Sequence, residues 1–256
     1  MSSLPATAAH TLALFQPPYA ELTPCTTSTV AELRHFSAWK GKVLVWQLNG
    51  GAHQQSEYEA LRDKTPGLPL MILLPPPSEL RRALDLLPLL RSLGPRGVLP
   101  HGFIDSAHRL RQALGTPPGS LGAAVVTLIE RMGITDDRKV LRELHRIIEL
   151  SATTRSIAML SRRMYTSRRT LGRHFEAHGL PVPSHCLHFG RLLHVALQLQ
   201  GTDTAMFRIA GRFGYPDGFT MSNQMKRLTG FRPTQVRELL GWEWLVEAWI
   251  RKERGW

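Results

Sequence analysis

The sequence predicts an α/β domain followed by an all-α domain. Between Thr11 and Gly115, short apolar runs alternate with amphipathic helical stretches. From Asp137 onward the apolar period is helical throughout, and a pattern of short helix, tight turn and second helix occurs twice. Charge divides the same way: Lys+Arg against Asp+Glu stand at 12 and 11 over residues 1–137, and at 20 and 9 over residues 138–256. A chain of 256 residues suits two domains, each large enough for its own core. The boundaries expected are 1–117 for the α/β domain, 118–136 for a linking segment and 137–256 for the helical domain.

In the first domain the apolar runs Leu12 to Gln16, Val43 to Leu48, Leu70 to Leu74 and Gly97 to Leu99 are strand-sized. Helical spacing marks Thr29 to Trp39, Gln54 to Lys64, Ser78 to Ser92 and Ile104 to Leu114. Such alternation argues for a small parallel sheet with helices on both faces. The segment PLMILLPPPSELRRALDLLPLLRSLGPRGVLPHGFIDSAHRLRQAL is similar to the final two strand and helix units of response-regulator receiver domains. A working receiver gathers carboxylates at the ends of its strands to hold Mg²⁺ and accept a phosphoryl group. Here the strands end on Gln16-Pro17, Gln47 and Leu74-Pro75, and the usual Lys near the last strand gives way to Pro100-His101. The expectation is a degenerate receiver-like domain for regulation or docking, without a phosphoryl-aspartate switch. The many strands and turn signals of a sugar-binding cupin barrel are missing.

A linking helix is expected from Pro118 to Met132. Beyond it, Ile157, Ala158 and Leu160 lie on the apolar face of a helix from Ser156 to Met164. Ser167 is placed to cap a second helix running to His178, with Leu171 and Phe175 inward and Arg168, Arg169, Arg173 and His174 outward. Gly179, Pro181 and Pro183 separate it from a long helix, Ser184 to Gln200. The second unit opens with Phe207 to Phe213, is broken at Gly214, and continues from Asp217 to Thr229 until Gly230 and Pro233 end it. Met221, Met225 and Leu228 are its inward positions, which leaves Thr220, Ser222, Asn223, Gln224, Lys226 and Arg227 outward. Two short helix-turn-helix patterns with polar and basic second helices are the grammar of a DNA-reading protein.

These residues carry a resemblance covering roughly Asp137 to Leu240. SRRTLGRHF with Gly179, the Arg191 and Ala196 pair in the long helix, IAGRFGY and MKRLTGFRP are similar to the AraC/XylS-type DNA-binding domain. The resemblance implies a bacterial transcription regulator whose two recognition helices enter successive major-groove segments on one face of DNA. The contacting positions of the first unit would be Arg169, Gly172 and Arg173. The second recognition helix departs from the usual S-x-F-x-R-x-F-K, carrying Phe219, Met221, Asn223, Met225 and Lys226 across that stretch, so that Asn223 replaces an Arg. The Met residues keep the core apolar. Readout then shifts toward the first unit, where Arg169 and Arg173 can pair with guanine edges. Arg168, Lys226 and Arg227 are placed for phosphates, and His174, Thr220, Ser222, Asn223 and Gln224 complete the candidate interface.

The net +12 charge, nearly all in the second half, is the electrostatic footprint of a polyanion binder. No apolar run is long enough to span a membrane, and the N-terminus lacks a basic region followed by an apolar core, so a cytoplasmic, nucleoid-associated location is expected. Cys25 and Cys186 are read as reduced thiols. His174, His178, His185, Cys186 and His188 offer a zinc reading, but the spacing matches no zinc-finger pattern and His174 falls on the proposed DNA face. Asn49-Gly50-Gly51 reads as a turn before an anion cradle. Trp242, Trp244 and Trp249 mark an amphipathic C-terminal helix. No catalytic arrangement, metal or cofactor is expected. The partners are double-stranded DNA and, through the N-terminal domain, RNA polymerase or a regulatory protein; a homodimer is one open assembly state. The alternative is an adaptor whose N-terminal domain binds a protein or small ligand, with DNA binding vestigial.

Overall fold

The computed structural model describes residues 11–49, 54–84, 90, 92–102 and 107–255, with the side chains of 82–84 outside the description. These fall into two units, residues 1–114 and 115–256. The first holds a five-stranded sheet in the order β2-β1-β3-β4-β5, built from β1 (Leu12–Phe15), β2 (Leu22–Pro24), β3 (Val43–Gln47), β4 (Leu70–Leu73) and β5 (Gly97–Leu99). Its helices are α1 (Thr27–Glu32), α2 (Phe36–Trp39), α3 (Gln54–Arg62), α4 (Pro77–Leu84) and α5 (Ala107–Gly115). Residues 43–46 and 70–73 are buried without interruption, as strands covered on both faces must be.

The sheet is mixed, which corrects the expectation of parallel strands. β3, β4 and β5 run parallel, but β1 is antiparallel to both of its neighbours. The physical reason is the short Gln16–Glu21 connection, which suffices for a hairpin and not for the crossover that a parallel neighbour needs. β2 was not anticipated, and it runs with β3 because α1 and α2 carry the chain across β1. The single helix expected from Thr29 to Trp39 is two: Leu33 closes α1, and α2 starts only at Phe36. Receiver topology is therefore departed from at β1. At the β3 end, Gln47 is exposed and its backbone N–H donates to the Thr11 carbonyl at 2.8 Å. The Glu57 carboxylate of α3 is held by Trp46 Nε1 at 2.8 Å and by the Thr11 hydroxyl. Residues 50–53, and with them the Gly50-Gly51 cradle, lie outside the described residues, as do 103–106 at the start of the helix expected from Ile104.

The second unit is helical: α6 (Leu121–Arg131), α7 (Arg138–Ser151), α8 (Ile157–Met164), α9 (Arg168–Ala177), α10 (Pro183–Gly201), α11 (Met206–Arg212), α12 (Gly218–Thr229), α13 (Pro233–Glu238) and α14 (Glu243–Arg254). α6, expected as a linker, packs along α7 within this unit. Ser120 caps α6 and also donates to Glu149 at 2.7 Å, and the Gly122 N–H donates to the same carboxylate at 2.7 Å. Gly122 is needed there, since a Cβ would stand 2.6 Å from the His145 carbonyl oxygen.

α10 is the axis of the unit. Cys186, Leu187, Phe189, Leu192, Leu193, Val195, Ala196, Leu197 and Leu199 are all buried, and a helix apolar on every side must be surrounded. It packs against α7, α8, α9, α11, α12 and α13. Cys25 and Cys186 are both buried and free, one in each unit. Burial pushes the Cys186 thiol up, and its Sγ donates to the Pro181 carbonyl at 3.2 Å.

Candidate nucleic-acid interface

The first helix-turn-helix unit is set by local chemistry. Ser156 caps α8, accepting from the Met159 N–H at 3.2 Å, and Leu160 and Met164 face the core. Tyr165 ends α8 in the left-handed region (φ 53°) with its ring 91% exposed. Ser167 then caps α9, accepting from the Thr170 N–H at 3.0 Å, and the fully buried Leu171 and Phe175 anchor it. With those two inward, Arg168, Arg169 and Arg173 are exposed, and none has a partner among the described residues. Arg169 and Arg173 stand one turn apart on the same face. Gly172, between them, has open space where a Cβ would be. His174 is only half exposed: its Nδ1 lies 3.2 Å from the Glu143 carboxylate on α7.

The second unit repeats the plan with different chemistry. Ile209 and Ala210 bury α11 against α10, and Gly214 turns the chain at φ 74°. The turn needs glycine for its backbone angle, whereas the Arg155 guanidinium that lies over Gly214 is the end of a flexible, exposed side chain and can move aside. Asp217 caps α12, accepting from the Thr220 N–H at 2.6 Å; the same contacts hold its carboxyl below the usual range. Met221, Met225 and Leu228 are buried, as their spacing predicts, and Thr229 with them. Asn223, Lys226 and Arg227 are exposed, and Ser222 is half-buried. Two of the polar candidates are engaged: Gln224 accepts from the Tyr215 hydroxyl at 2.6 Å, and the Thr220 hydroxyl donates to its own cap, Asp217. Phe219, which the sequence reading left without a role, stands 76% exposed in the first turn of α12. The signal that could have found it is its place four residues before Asn223, on the face opposite Met221 and Met225.

A buried cation ties the units together. Arg191, 6% exposed near the middle of α10, donates to the Thr154 carbonyl ahead of α8 at 2.7 Å and lies 5.7 Å from the Tyr215 ring ahead of α12. The last turn of α14 reaches both recognition helices: Arg254 donates to the Gly179 carbonyl just past α9, and Lys252 to the Lys226 carbonyl in α12. Of the residues in the zinc reading, His174 faces Glu143, His185 faces Glu253 at 2.9 Å and Cys186 faces Pro181. Among the described residues no three such groups converge, and no helix is long and apolar enough to cross a membrane.

No curated protein and no solved structure matches the chain. The family model described as a helix-turn-helix domain does match, over residues 160–239, a stretch running from within α8 to just past α13 and containing both recognition helices. Residues 160–239 thus form an AraC-type helix-turn-helix DNA-binding domain, the kind found in transcription regulators.

Proposed function

We propose that this chain is a sequence-specific transcription regulator that reads DNA through α9 and α12, and that aspartyl phosphorylation does not control it. The observation that carries the reading is Arg169 and Arg173, exposed side by side on a capped helix with no intramolecular partner among the described residues. A planar guanidinium fork matches guanine O6 and N7, whereas Arg168, Lys226 and Arg227 suit phosphates that fix register. The N-terminal unit is then a regulatory or docking domain toward RNA polymerase or another protein.

The test separates reading from anchoring. On a duplex selected by the protein, Arg169→Ala or Arg173→Ala should cost about 1–3 kcal/mol and much less on a scrambled one, while Lys226→Ala should weaken both alike. Equal losses on both duplexes for the Arg variants would show that the first unit anchors without reading.

Control by phosphorylation has its own measurement. Glu57 is occupied by Trp46 and Thr11, and Gln47 occupies the strand end where an acceptor would sit. Incubation with acetyl phosphate and Mg²⁺ should leave the intact mass unchanged; a stoichiometric, hydroxylamine-labile adduct on the N-terminal unit would refute this part.

A further inference from the structure

We propose that Phe219 is a base-reading residue whose ring packs on a thymine methyl group, with Asn223 pairing a neighbouring adenine, so that the second recognition helix reads an A·T segment while the first reads guanines. This rests on the reading of α9 and α12 as DNA readers given above.

A single exposed phenylalanine is ordinary on a protein surface. What distinguishes Phe219 is where it stands. It is the second residue of α12, in the first turn after the Asp217 cap, and the N-terminal residues of a helix-turn-helix recognition helix are the ones that meet base edges. Its ring has no ring partner among the described residues, and it is 76% exposed while Met221 and Met225 on the opposite side are buried. Folding does not need this ring.

The neighbours narrow the chemistry. Thr220 is spent on Asp217 and Gln224 on Tyr215, and Ser222 is half-buried, which leaves Phe219 and Asn223, spaced i and i+4, as the exposed pair of the first two turns whose side chains have no partner among the described residues. The cations of α12, Lys226 and Arg227, come only in its last turn, with Arg227 one turn beyond Asn223 and two beyond Phe219. A carboxamide offers one donor beside one acceptor, which complements adenine N7 and N6–H₂. Against guanine its oxygen would face O6, acceptor on acceptor. The one apolar feature of the major groove is the thymine methyl, and an aromatic ring is among the groups that take it. The two recognition helices therefore carry different codes: a guanidinium pair in α9, and a ring with a carboxamide in α12.

The experiment uses the full chain. Duplexes enriched from a random pool should contain a guanine-bearing segment and, about one helical turn (10 base pairs) away, a segment with thymine and adenine. Replacing that thymine by deoxyuridine removes only the methyl and should weaken wild-type binding about fourfold, the worth of one buried methyl-sized group. Phe219→Ala should bind the thymine and deoxyuridine duplexes equally, with an unchanged circular dichroism spectrum. Asn223→Ala should lose about tenfold on the selected duplex and relax the preference for adenine. An enriched site with guanines but no thymine one turn away, or a Phe219→Ala protein that still discriminates thymine from deoxyuridine, would overturn this inference alone. Failure to enrich any sequence would overturn the regulator reading itself.

Discussion

Binding of duplex DNA by the full chain should weaken steeply with salt, with log K falling against log salt at a slope of magnitude about 4 or more. That slope amounts to a loss of roughly 250-fold between about 50 and 200 mM salt. The expectation follows from where charge stands. The helical half carries 20 Lys+Arg against 9 Asp+Glu, and Arg168, Arg169, Arg173, Lys226 and Arg227 are exposed on the two recognition helices. Each phosphate neutralised by such a group releases condensed counterions, and that release drives affinity whatever the sequence. A fragment of residues 115–256 should show the same slope. It should retain α6, because Leu121, Val125, Leu128 and Ile129 are buried within this unit and would leave apolar surface bare on removal. A flat slope in both proteins would favour the adaptor reading, in which DNA binding is vestigial. A steep slope in the full chain lost in the fragment would place phosphate-binding groups in the N-terminal unit.

The helix-turn-helix units were legible in the sequence because everything that sets them is local. Ser156, Ser167 and Asp217 cap helices within three residues of themselves, Gly214 and Gly230 supply left-handed turns, and Leu171 with Phe175, or Met221 with Met225, declare one buried face. Strand direction in the N-terminal unit is not local. Leu12–Phe15 is apolar in either orientation, and only its pairing with Val43 to Trp46 decides that it runs antiparallel. β2 escaped notice because Leu22–Pro24 is a three-residue edge strand ending in proline, where propensity is weakest. Phe219 was passed over for another reason: phenylalanine at helical spacing is ordinarily core, and only the packing of its helix shows that this one points away. The engagement of Gln224 by Tyr215, and of His174 by Glu143, likewise joins residues whose sequence says nothing of each other.

Trp249→Ala should cost about 3–5 kcal/mol of stability in the helical unit, the usual penalty for deleting a large buried ring. Trp249 is fully buried on α14 and stacks on Phe189 of α10, with ring centroids 4.0 Å apart and planes 13° from parallel. On the same helix Trp244 meets Phe231 edge-on at 5.2 Å, just beyond the end of α12. Residues 241–250 are buried throughout, so α14 is part of the core although it lies past the matched domain. Its last turn then reaches the far ends of both recognition helices through Arg254 and Lys252. Emptying the Trp249 site leaves a cavity on Phe189 that the close-packed α10 cannot fill without moving, and loosens the helix that holds α9 and α12. Urea unfolding of the 115–256 fragment, followed by circular dichroism, measures the first effect. Trp249→Phe keeps a ring against Phe189 and should lose less than half as much. Duplex binding should fall for Trp249→Ala even where the protein remains folded, since both recognition helices lose a common support. A Trp249→Ala protein within about 1 kcal/mol of wild type would mean that α14 contributes no core to this unit, against what its burial requires.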